Sequence, residues 1–169
     1  MFNQTIIRVG VRYGVLCGVI CFVLVLVLYF FGTDPFGDLG RISFIPIPLF
    51  IFWAIRYYKK YTNGEMSFWQ GLRVGLAVSF YAALSASMLV LILVYLVGPD
   101  LLQQHIATTQ ALLEQTREEQ IKVLGKENYE RGYQAIGAMT PTMLAADDFL
   151  RRVFAGLIFS LVAAVFFRK

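Results

Sequence analysis

Polar and apolar positions in this chain are segregated into long blocks. Tyr13 to Phe31 and Val74 to Pro99 contain no Asp, Glu, Lys, Arg or His. At about 1.5 Å per residue these blocks form helices of roughly 28 and 39 Å, enough to cross a hydrocarbon core of about 30 Å. Two shorter blocks follow the same pattern: Ile42 to Ile55 lies between Arg41 and Arg56, and Val153 to Phe167 between Arg152 and Arg168. They reach spanning length if the flanking arginines snorkel and Tyr57, Tyr58 and Phe149 sit at the interface. The pattern predicts an all-α integral membrane protein, one domain over 1–169. Its spans fall at about 13–31, 42–58, 74–98 and 150–167. Pro46 and Pro48 belong near the start of the second span, where proline is tolerated, and they leave it a short regular part. The alternative there is an interfacial or re-entrant segment.

Composition agrees with this class. The chain is 58% hydrophobic and 15% charged, whereas a soluble domain is nearer half apolar and a quarter charged. The first block is longer than the apolar core of a secretory signal, and "FFGTDPFGDLG" offers no small-residue cleavage site. Leu16 and Ile20, which precede Cys17 and Cys21, are too large for a lipobox. The first span is therefore expected to remain as an anchor.

The basic residues set an orientation. Arg8 and Arg12 precede the first span, Arg56, Lys59, Lys60 and Arg73 fill the second loop, and Arg168 and Lys169 end the chain. Arg41, beside Asp34 and Asp38, is the lone basic residue of the first loop. Both termini and the second loop are expected to be cytoplasmic, which leaves 100–149 as an extracytoplasmic helical segment. Arg151 and Arg152, directly beside the fourth span, conflict with that orientation. Asp147 and Asp148 lie four residues earlier, and i,i+4 pairing softens the conflict.

Within the outer segment, "DLLQQHIATTQALLEQTREEQIKVLG" has Leu102, Ile106, Leu113 and Leu124 near one helical face, with Gly125 as a C-cap. "KENYERGYQAIGAM" forms a weaker second helix. "TPTMLAADDFLRR" begins with Thr140 as N-cap and Pro141 at the first helical position, and runs into the fourth span. These helices are expected to pack on the membrane surface, on the bundle, or on a protein partner.

Small residues recur every fourth position in three places: Gly10, Gly14 and Gly18; Gly71, Gly75, Ser79, Ala83 and Ser87; and Gly156, Ser160 and Ala164. Residues four apart share a helical face, so each series is a shallow groove. In lipid, hydrophobicity gives helices little reason to associate, and close backbone approach supplies it. These residues are the candidate helix-packing sites, within one chain or in self-association. The orientation places their tight contacts toward the cytoplasmic end.

The chemistry of the chain narrows its functions. The central parts of the spans hold no ionisable residue, which argues against a proton-coupled pump. His105, the single histidine, is expected to be solvated at the interface. Cys17 and Cys21 lie on one helical face and are expected to fill space. Ser79, Ser85 and Ser87 lack a base and are expected to back-bond to their helix. There is no phosphate-binding loop, metal set or cofactor motif, so neither an enzyme nor a cofactor is expected. The net charge of +4 suits anionic membrane lipids as partners and does not argue for nucleic acid.

"YYKKYTNGEMSFWQGLRVGL", residues 57–76, joins a basic–aromatic helix end to a glycine-containing turn and a glycine-spaced span. With Pro99–Asp100 after the third span and Arg168–Lys169 at the end, it resembles the domain of unknown function 4199 family. That resemblance covers the whole chain. It implies a small four-span protein of the bacterial inner membrane, and brings no activity or catalytic residue. The expected role is a non-enzymatic structural, assembly or accessory subunit. The alternatives are a small transporter or oligomeric channel for an apolar or amphipathic solute, its path lined by serines, and a membrane stress or lipid sensor.

Overall fold

The computed structural model describes residues 4–62 and 65–168. Gly64 of the second loop and Lys169 of the basic end lie outside the described residues. Within them the chain forms α1 (Gln4–Phe30), a 3-10 helix (Asp38–Phe44), α2 (Pro46–Lys60), α3 (Phe68–Val97), α4 (Pro99–Gln115), α5 (Arg117–Leu124), α6 (Lys126–Gly137) and α7 (Pro141–Phe167). No strand occurs among the described residues. Four segments are long and apolar enough to cross a membrane: Gln4–Phe30, Asp38–Lys60, Phe68–Val97 and Pro141–Phe167. This is an all-α, four-span membrane protein with a helical layer, α4–α6, between its third and fourth spans.

Local chemistry sets the helix boundaries. Ser67 and Gln70 close a reciprocal capping box at the start of α3, each side chain accepting from the other's amide, at 3.3 and 3.0 Å. Thr140 Oγ1 accepts from the Met143 amide at 3.3 Å, and Pro141 opens α7. Pro46 and Pro48 fall in the first turn of α2, where a missing amide hydrogen does no harm. The 3-10 helix carries the polypeptide up to that point. Gly98, at φ +94°, turns the chain from α3 into α4 in a conformation that other residues resist.

One expected helix is two. The stretch running to Gly125 breaks at Thr116, whose φ and ψ are −103° and 12°. Its hydroxyl donates back to the carbonyls of Leu112 and Leu113 at 3.1 and 3.4 Å, and the Tyr129 hydroxyl also donates to Leu113, at 3.3 Å. Side-chain donors thus compete for the carbonyls that a continuous helix would use.

The bundle is built around α3, which packs against α1 on one side and α7 on the other, while α2 touches all three. Helix α1 runs parallel to α3. A Cβ added to Gly10 would lie 2.7 Å from Ala77 Cβ, and one on Gly14 would lie 2.7 Å from both Tyr81 Cβ and the Val78 carbonyl oxygen. A Cβ on Gly18 would collide with Ser85. Helix α7 runs antiparallel: Gly71 faces Ala164, Gly75 faces Ser160, and Gly156 faces Ser79. The Ser79 and Ser160 hydroxyls donate back to Gly75 and Gly156 carbonyls at 2.8 and 2.6 Å. Those hydroxyls lie 3.4 Å from each other, so the interface is satisfied mainly within each helix. Ala83 and Ser87 continue the α3 series and are buried.

The three series do not converge on one another. Those of α3 and α7 meet, whereas that of α1 meets a different face of α3, around Ala77, Tyr81 and Ser85. Both contacts lie toward the end where α1 and α3 begin and α7 finishes. At the opposite end the core is built from larger side chains, among them Val25, Val90, Leu93, Leu101 and Leu144.

Gly75→Leu and Gly14→Leu are each expected to destabilise the protein by at least ~1–3 kcal/mol, since the opposing atoms are already in contact. Gly132, whose added Cβ would meet nothing within 4 Å, is the control: Gly132→Ala should leave stability unchanged or slightly raised. Equilibrium unfolding in mixed micelles, followed by circular dichroism, reads both.

Candidate functional site: the polar end of the bundle

Away from the glycine contacts, the loop after α1, the 3-10 helix, α4 and the first half of α7 gather most of the buried polar chemistry. Asp34 sits in that loop, and its Oδ1 accepts from the Phe36 amide at 3.0 Å. Its Oδ2 lies 2.8 Å from His105 Nδ1 on α4. The two side chains are only 10% and 7% exposed, and Phe36 stacks edge-on against the imidazole at 5.7 Å between centroids. Burial alone would raise the Asp34 pKa. The His105 hydrogen bond, the Phe36 amide, the His105 charge and the Gly37 amide together outweigh it, and hold the carboxyl below its ordinary value. His105 is therefore not the solvated residue expected from sequence. The turn at Gly98 brings α4 beside a loop 71 residues away in sequence, a proximity no local pattern encodes.

A second buried pair lies deeper. Arg152 Nε donates to Asp148 Oδ2 at 2.7 Å, Nη2 donates to Ser43 Oγ at 3.2 Å, and Nη1 reaches the Ser43 carbonyl at 3.4 Å. The guanidinium carbon lies 4.8 Å from the centre of the Phe44 ring, and Arg152 is 1% exposed. Cys17 and Cys21 are free and buried on α1. The burial of Arg152 corrects the expectation that it snorkels out at the border of the fourth span. Both i,i+4 pairs form, as the sequence suggested, but they diverge. Asp147–Arg151, at 2.7 Å, is largely exposed, whereas Asp148–Arg152 points into the bundle. Successive residues lie about 100° apart on a helix, so two adjacent pairs cannot share an environment. The doubled Asp-Asp and Arg-Arg spacing was the available signal.

Two cavities flank this region. One of about 1120 Å³ lies between the loop, α4 and the start of α7, with Asp34, His105, Gln104, Thr108 and Met143 in its wall. The other, of about 400 Å³, lies between the 3-10 helix and α7, lined by Ser43, Phe44, Leu144, Asp148 and Phe154. Arg41, Asp147 and Arg151 border both. None of the small residues singled out from sequence lines either cavity. Ser79, Ser85 and Ser87 all back-bond to their own helix. No group of three His, Cys, Asp or Glu side chains able to hold a metal ion occurs among the described residues.

Three apolar helices around a close-packed α3, capped at one end by a polar helical layer, define a multi-pass membrane protein. The chain belongs to the family described as Protein of unknown function (DUF4199), which it matches over residues 12–169. No curated protein and no solved structure matches it.

Removing one member of the buried pair leaves the other charge uncompensated. Arg152→Leu is expected to cost about 3–5 kcal/mol of stability, and the double variant Asp148→Leu/Arg152→Leu clearly less; unfolding in micelles compares them. The Asp34 tie gives an acid-side prediction. Its carboxyl titrates lower in the folded protein than in the unfolded chain. The tie's contribution is therefore full above about pH 4 and lost as pH falls below that, through the folded value. Melting temperature measured against pH should drop in that range, and Asp34→Asn should flatten the drop.

Proposed function

We propose that this protein is a non-enzymatic structural, assembly or accessory subunit of the bacterial cytoplasmic membrane. Both termini are cytoplasmic, and the α4–α6 layer contacts a protein partner or the membrane surface outside. The carrying observation is the apolar exposure of that layer. Helix α5 buries no residue, and Val123 and Leu124 at its end are 83% and 50% exposed. Neighbouring apolar side chains left in water at the tip of a layer suit a surface that is covered in the assembled state. The basic residues of the second loop and both ends favour the stated orientation.

The transporter alternative has less support. Its candidate serines are turned onto their own helix carbonyls, and the cavities border one end of the bundle while glycine contacts fill the other.

A photoreactive residue at Glu119, exposed one turn before Val123 on α5, should crosslink to a distinct protein or to lipid in native membranes. Val123→Glu/Leu124→Glu should lower that capture on the order of tenfold, the loss of a modest part of the apolar contact, with melting temperature unchanged. Unaltered capture in the variant would sink this reading.

A further inference from the structure

The two cavities share a rim with an unusual charge pattern. Arg41 and Arg151 border both. Their side chains are 79% and 61% exposed and are held by Asp38 and Asp147 at 2.7 Å. Exposed i,i+3 and i,i+4 pairs of this kind exchange with a ligand at little cost. Guanidinium forks match phosphate oxygens. A purely anionic headgroup is a poor fit, because the larger cavity sets Asp34, Asp38 and Asp147 against those two arginines. A headgroup carrying both signs meets partners for each.

Position adds a second argument. The unbroken apolar run of α7 begins at Val153, so Arg151 stands at the border where lipid headgroups lie. The smaller cavity straddles that border: Leu144 and Asp148 precede Arg151 along α7, while exposed Phe154 stands just inside the apolar run, with Phe44 beside them in the wall. The larger is on the polar side, with Gln104 and Thr108. At the base of the smaller one, Asp148 is neutralised by Arg152, so its polar floor carries no unpaired charge.

We propose that these cavities together form one site for a zwitterionic phospholipid. Its phosphate rests on Arg41 and Arg151, its ammonium faces Asp38 and Asp147, and an acyl chain leaves along Phe44 and Phe154. The site uses residues other than those at the tip of α5, so it and the outer-layer reading can fail separately.

Native mass spectrometry of the full chain released from micelles tests this with dioleoyl phosphatidylethanolamine and dioleoyl phosphatidylglycerol as probes. The wild type should retain the ethanolamine lipid at roughly tenfold lower concentration than the glycerol lipid. Arg41→Gln/Arg151→Gln should weaken that retention about tenfold, and Arg117→Gln, exposed and outside both cavities, should not. Asp38→Asn/Asp147→Asn should shift preference toward the glycerol lipid, a reversal that unspecific lipid coating does not produce. Equal retention of both lipids by the wild type, or unchanged retention in the arginine double variant, would overturn the proposal. Displacement by millimolar glycerophosphoethanolamine, which has no chains, would overturn its lipid part. The wild-type comparison needs no variant to fold.

Discussion

Backbone-close contact along α3 is the constraint on which the rest of this structure depends. Helices already surrounded by lipid gain little from meeting one another unless their surfaces fit closely. Helix α3 fits on two sides. Gly71, Gly75 and Ser79 receive α7 with backbone atoms nearly touching, and Ala77, Val78 and Ala82 receive the glycines of α1. The serines at the α7 contact keep their hydroxyls on their own helices, so closeness there is steric and not a hydrogen-bonded clasp. Parallel pairing with α1 and antiparallel pairing with α7 are what alternate crossings of a bilayer require.

Tightness at one end leaves the other end to be filled differently. There the segment joining α1 to α2 lies across the bundle and supplies Ser43, whose hydroxyl and carbonyl face Arg152. A buried guanidinium is tolerable only with such partners and a carboxylate, and all are present. A few residues away, Asp34 hooks α4 to the same segment through His105. One short connection therefore serves two buried polar pairs, one against α7 and one beneath the α4–α6 layer. The cavities lie on either side of it.

Much of the fold was legible in the sequence, because long uncharged runs leave few other structures open to a chain. The start of α7 could be read from Thr140 and Pro141, and the short regular part of α2 from its two prolines. The small-residue series were visible too, but their partners were only half so: α3 and α7 match small against small, while Gly14 accommodates Tyr81. A glycine needs room for whatever opposes it, and sequence does not say what that is. The polar end was the least legible. Spacing predicted both Asp–Arg pairs without revealing which turns inward, and the Asp34–His105 tie depends on a turn at Gly98 whose direction only the folded chain shows. At Thr116 the residue favours neither continuation nor break strongly, and Tyr129 from another helix bears on the outcome.

The central claim, that α3 and α7 of one chain meet through matched small residues, is tested most directly by a size swap. Gly75→Ser should destabilise the protein in micelles, and adding Ser160→Gly should recover most of that loss, a coupling of at least ~1 kcal/mol. Losses that simply add in the double variant would contradict the contact.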